Sequence, residues 1–167
     1  MKKILMGILI FGLAIQTFAQ VRTEKLSEVV IAATNYKYLN KTGLENASIP
    51  VSLLEQKVAS FDLKNSDFYQ DDYDYYEITF YIPEGYILAA YDKNGEILRT
   101  AERFNDVALP QGVITAVAKR FPNWVLKKDV YLVSYYESGN ISKKYKITLE
   151  NEDKRMKIKT DAEGNFL

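Results

Sequence analysis

The chain has 167 residues with 22 basic and 22 acidic side chains, and it contains neither histidine nor cysteine. These absences exclude Ser-His-Asp and Cys-His hydrolases, zinc sites of the His/Cys type, transferases that depend on paired histidines, and any disulfide. The balanced charge gives no global pull toward nucleic acid or anionic lipid, and leaves carboxylate, tyrosine or lysine chemistry, or none.

The first residues, "MKKILMGILIFGLAIQTFAQ", place two lysines before an apolar stretch from Ile4 to Ile15, with Thr17 and Ala19 at small-residue positions. This is the pattern of a bacterial secretory signal. Its apolar stretch falls short of the roughly 20 residues of a membrane span, so cleavage after Ala19 and no membrane insertion thereafter are expected. The expected destination is the periplasm or the extracellular space. About 148 residues then follow, enough for one domain with a core or two small repeats. Residues 20–46 form an N-terminal segment in which "SEVVIAA", Ser27 to Ala33, is positioned to add a strand.

From residue 47 the sequence repeats. "YYEITFYIPEGYILAAYDKNGEIL" (Tyr75 to Leu98) aligns without gaps on "KYKITLENEDKRMKIKTDAEGNFL" (Lys144 to Leu167), so that Tyr76 meets Tyr145, Ile78 meets Ile147, Asp92 meets Asp161 and Gly95 meets Gly164. Upstream, "IPVSLLEQKVASF" pairs with "LPQGVITAVAKRF". Two repeats, 47–104 and 105–167, are expected. Each opens with proline and a short amphipathic helix, carrying Leu54, Val58 and Phe61 in one case and Ile114, Val117 and Phe121 in the other. The second repeat then reads as strands Val125 to Glu137, Lys143 to Glu150 and Lys154 to Asp161; the first as Asp74 to Ile82 and Tyr86 to Asp92, with its leading strand shortened or missing. The fold class is α+β: tandem α-β-β-β type repeats forming an antiparallel sheet with helices packed on one face.

This pattern of a Pro-started helix, a tyrosine-rich strand, and a strand ending in "YDKNGEILRTAE" or "TDAEGNFL" resembles the PepSY-like family of exported bacterial proteins over Ile49 to Leu167. That family is similar in fold to the beta-lactamase-inhibitor proteins. The resemblance implies a binding or inhibitory role without catalysis, and it brings no catalytic residue, metal or cofactor with it.

Alternation assigns the faces of the strands. Tyr76, Ile78, Phe80 and Ile82 are expected to point to the helices, as are Tyr145, Ile147 and Leu149, and Ile87, Ala89 and Tyr91 with Met156, Ile158 and Thr160. The opposite face then carries Tyr73, Tyr75, Glu77, Tyr81, Tyr86 and Leu88 in the first repeat, where the second has Lys144, Lys146, Thr148, Glu150, Arg155, Lys157 and Lys159, a solvated and largely basic face. Tyrosine brings large contact area, a polar tip and few rotatable bonds. Those six residues are therefore the candidate binding face for a protein or peptide. Two alternatives stand beside this. The acidic cluster Asp67 to Glu77 is compatible with a carboxylate- or metal-dependent hydrolase, although an extended chain splays alternate carboxylates apart. The charge division, with 10 acidic and 2 basic residues from Glu45 to Asp92 against 10 and 14 from Lys93 to Leu167, favours self-association.

Overall fold

The computed structural model describes residues 35–43 and 47–167, so the secretory signal and the strand expected at Ser27 to Ala33 lie outside the described residues. Three helices, α1 (Tyr36–Thr42), α2 (Ile49–Ala59) and α3 (Gln111–Arg120), accompany six strands: β1 (Tyr75–Ile82), β2 (Gly85–Asp92), β3 (Ile97–Asn105), β4 (Val125–Tyr136), β5 (Ile141–Asn151) and β6 (Lys154–Thr160). The strands form one antiparallel sheet in the order β1-β2-β3-β4-β5-β6. Because each neighbour in sequence is also the neighbour in space, every strand connection is local except the passage through α3 between β3 and β4.

The alternation read from the sequence holds. Tyr76, Phe80, Ile87, Ala89, Tyr91, Tyr145, Ile147, Leu149 and Thr160 are buried, and Met156 and Ile158 pack partly buried against the same core. From the helices, Val51, Leu54 and Val58 of α2 and Val113 and Val117 of α3 enter that core. One detail departs from expectation. In α3 it is Val113 that is buried, while Ile114 is 43% exposed. Phe61, just beyond α2, seats that helix on the sheet, with its ring 5.3 Å from Phe80 and 5.8 Å from Tyr91.

Two elements were not anticipated. The helix α1 lies within the N-terminal segment, and β3 follows the Asp92 to Gly95 turn. The sequence of β3, "ILRTAERFN", hides its alternation because the inward positions Thr100, Glu102 and Phe104 include two polar side chains. The leading strand missing from the first repeat is replaced by an irregular stretch, residues 60–74.

The duplicated turns share one hydrogen-bond pattern. Asp92 Oδ1 accepts from the backbone N–H groups of Asn94 and Glu96, each at 2.8 Å, and Asp161 Oδ1 accepts from those of Glu163 and Asn165 at 3.1 and 2.8 Å. Gly95 and Gly164 sit at φ 85° and 95°, the left-handed region that follows a tight turn and favours glycine. The matching geometry follows the sequence match residue by residue.

A polar knot ties the helices to the sheet. Asn35, before α1, donates to the carbonyls of Ala59 (3.2 Å) and Gly95 (3.1 Å) and accepts from the Ile97 N–H (2.8 Å), joining both N-terminal helices to the β2–β3 turn. Deeper in, Glu102 of β3 accepts from the Tyr38 hydroxyl at 2.8 Å and from the Thr100 hydroxyl at 2.7 Å. Glu55 of α2 is fully buried near Glu102, and no hydrogen bond reaches either of its carboxyl oxygens among the described residues. Two carboxyls in an apolar layer cannot both ionise without large cost. Burial, and then the neighbouring Glu102, push Glu55 up to about 8. Burial raises Glu102 as well, opposed by the hydrogen bonds from Thr100 and Tyr38.

The sign of the resulting pH dependence is fixed. A carboxyl whose pKa is raised in the folded state holds a proton that the unfolded chain has already released, so stability is full below the ordinary carboxylate range and falls as pH rises toward about 8. Denaturant titrations across that interval are expected to show a loss on the order of a few kcal/mol, and Glu55→Gln, which cannot ionise, is expected to flatten it. Equal pH profiles for the two proteins would contradict a buried, protonated Glu55.

Candidate functional site: the outer face of the sheet

The helices cover one face of the sheet, and among the described residues no helix or strand lies on the other. Strand register determines which side chains meet there. One row runs Tyr81, Tyr86, Arg103, Leu132, Lys144 across β1 to β5; another runs Glu77, Ala90, Arg99, Tyr136. The first row brings the aromatic half of the face directly against the basic half.

Of the residues read from sequence as a binding face, five share this surface. Tyr75 is 62% and Tyr81 72% exposed, Tyr86 is exposed beside them, and Leu88 is half-buried between Thr79 and Ala101. The Tyr81 and Tyr86 rings are directly cross-strand, centroids 6.0 Å apart. Glu77 is not free: it forms a salt bridge with Arg99, and Ala90, between them in register, is buried on this face. An exposed pair of this kind adds at most about 1 kcal/mol, so its main effect is to neutralise one end of the tyrosine row.

Tyr73 does not join the set. It precedes β1, and its ring meets Tyr76, an inward residue, edge-on at 5.9 Å. The strand alternation that would have turned it outward begins only at Tyr75.

The acidic cluster is similarly dispersed. Asp67, Asp71, Asp72 and Asp74 are exposed, and among the described residues no group of three or more carboxylates is arranged to hold a metal ion. Residues 60–74 are closed instead by local contacts: Tyr69 stacks on Tyr76 at 5.7 Å, and the Tyr76 hydroxyl accepts from the Gln70 N–H at 2.9 Å.

A feature that was read as a plain solvated face has shape. A groove of about 610 Å³ opens on the outer surface between β3 and β6, lined by Arg103, Lys128, Val130, Lys146, Lys157 and Lys159. Among the described residues these five cations form no salt bridge. Asp106 lines it on the β3–β4 side and accepts from the Asp129 N–H at 3.3 Å, while the buried Asp129 carboxyl, in register with inward Ile147, turns to the other face and accepts from the Val107 N–H. Burial pushes Asp129 up to about 6, opposed by the Val107 N–H and assisted by the nearby Asp106.

The two strands that supply most of the cations treat their cross-strand partners differently. Glu150 and Arg155 are opposite each other and form a salt bridge, whereas Lys146 is opposite Lys159. Like charges directly opposite are destabilising, by an amount similar to the roughly 0.2–1 kcal/mol that an opposite-charge pair contributes. Replacing one of them by its opposite, Lys159→Glu, is therefore expected to stabilise the protein by a few tenths to about 1 kcal/mol in thermal unfolding at low salt, with the gain fading as salt is added. A loss of stability would show that the two ammonium groups are already separated enough not to interact.

Comparison with known proteins gives little. No protein-family model matches the chain, and no curated protein matches it. Among solved structures, the chain is similar to a BLIP-like protein from Bacteroides fragilis, at 24% identity and a TM-score of 0.35, over 59% of this chain and 68% of that one.

Proposed function

We propose that this chain is an exported, non-catalytic binding protein, inhibitor-like in its mode of action and a member of the PepSY-like group, which docks a protein or peptide on the outer face of its sheet around Tyr75, Tyr81, Tyr86 and Leu88. The observation that carries this reading is a contrast within one sheet. At positions where β5 and β6 set charged side chains, chiefly Lys144, Glu150, Arg155 and Lys157, against solvent, β1 and β2 set Tyr75, Tyr81 and Tyr86, which remain exposed among the described residues, with half-buried Leu88 beside them. Lysine satisfies solvent there; a clustered aromatic surface gains only when something else covers it. The rigid scaffold also suits recognition, since the β1–β2 pair is held flat against the core by Phe80, Ile87 and Tyr91 and loses little freedom on binding. Export is supported by the charged and apolar N-terminal pattern. The alternative of a carboxylate- or metal-dependent hydrolase gains no support from the scattered acidic side chains of 67–77.

Affinity capture from envelope extract tests the reading, with Tyr75→Lys/Tyr81→Lys as the comparison. Tyr75→Lys introduces the residue that β5 carries at the equivalent Lys144, and Tyr81→Lys introduces a charge where β5 carries Glu150; both positions are exposed, so the fold is expected to persist by circular dichroism. A partner retained by the parent and reduced at least about tenfold by the variant is expected, since aromatic anchors each contribute up to a few kcal/mol to an interface. Equal capture by both proteins would contradict the assignment of the binding face.

A further inference from the structure

We infer that the groove between β3 and β6 is a docking site for an acidic, extended polypeptide segment, distinct from the tyrosine patch and able to act without it. Three observations converge on it. The groove is an open hollow of about 610 Å³ across β3 to β6, and its lining carries Arg103, Lys128, Lys146, Lys157 and Lys159 with none engaged in a salt bridge among the described residues. The strand register sets Lys146 directly opposite Lys159, although the same two strands pair Glu150 with Arg155 four residues along. Keeping Lys146 and Lys159 opposed costs stability, and an anion lying between them removes that cost.

The third observation selects the class of anion. Lys157 and Lys159 are alternate residues of β6, so their Cα atoms are about 7 Å apart, which is also the spacing of side chains on one side of an extended peptide. A second peptide-like feature is the mixed lining. Asp106, exposed beyond the end of β3, stands in the groove lining with the cations, so a uniform polyanion meets repulsion there. A peptide that follows a run of carboxylates with a neutral or basic residue meets none. Val130 in the lining provides an apolar contact for the peptide backbone or a small side chain. The whole chain, with 22 basic and 22 acidic residues, also lacks the long-range positive field by which nucleic-acid and membrane-surface proteins attract their partners.

The test uses a short synthetic peptide of alternating Glu and Thr, titrated into the full chain at low and moderate salt and followed by calorimetry and by amide shifts of β5 and β6. Comparison ligands are a single-stranded oligonucleotide, a sulfated oligosaccharide, and vesicles containing anionic phospholipid. Binding of the peptide that weakens with salt and falls at least about tenfold in Lys157→Glu/Lys159→Glu is expected. The control Lys57→Glu/Lys93→Glu makes the same change in net charge on exposed residues remote from the groove, and is expected to bind as the parent does. Retained binding in Tyr75→Lys/Tyr81→Lys is also expected, which separates this site from the tyrosine patch. Absence of peptide binding, equal losses in both charge variants, or tighter binding of the oligonucleotide, oligosaccharide or vesicles would each overturn the inference.

Discussion

The structure depends on how α1 and α2 are seated on the inner face of the sheet around Glu55 and Glu102. Burying two carboxyls side by side is costly unless one keeps its proton and both find partners. Tyr38 and Thr100 meet that need for Glu102, which fixes α1 over β3, while Asn35 fixes the start of α1 to the end of α2 and to the β2–β3 turn. An apolar layer alone would allow the helices to slide. The directional bonds of this cluster leave one register, and that register determines which face of the sheet is closed.

Once the inner face is closed, the outer one is defined by elimination. Side chains alternate along every strand, so each inward Tyr, Ile or Leu implies an outward neighbour. In β1 and β2 those neighbours are mostly tyrosines and aliphatics, in β5 and β6 they are mostly lysines and arginine, and Arg103 on β3 lies opposite Tyr86 on one side and, through Leu132 of β4, in row with Lys144 on the other. The aromatic and basic regions are thus the two ends of a single surface. Its two parts recognise different chemistry. The tyrosines offer area with hydroxyl tips, and the groove offers unpaired positive charge in a concavity.

Much of this was legible in the sequence, and the reasons for the remainder are local. The inward sets of β1, β2, β5 and β6 were readable because their apolar residues alternate strictly. The strand β3 was not, because Glu102 and Thr100 stand at inward positions and break the apolar signal; nothing in the sequence indicates that Tyr38, more than sixty residues earlier, supplies the matching hydroxyl. Tyr73 was assigned by extending the alternation one step past the point where the strand starts. The groove was out of reach for a different reason. "KKYK" and "KIK" each read as ordinary solvated strand, and only the pairing of Lys146 with Lys159 and the approach of Arg103 and Lys128 show that these charges converge.

The central proposal is that the outer sheet face, uncovered among the described residues, is open in the isolated protein. Hydroxyl-radical footprinting of the full chain, read at single tyrosines by mass spectrometry, tests it most directly. The account predicts rapid modification of Tyr75, Tyr81 and Tyr86 and slow modification of Tyr91 and Tyr131, which the helices cover. Protection of Tyr81 and Tyr86 at the level of Tyr91 in a monomeric sample would place another part of the chain on that face and contradict the account.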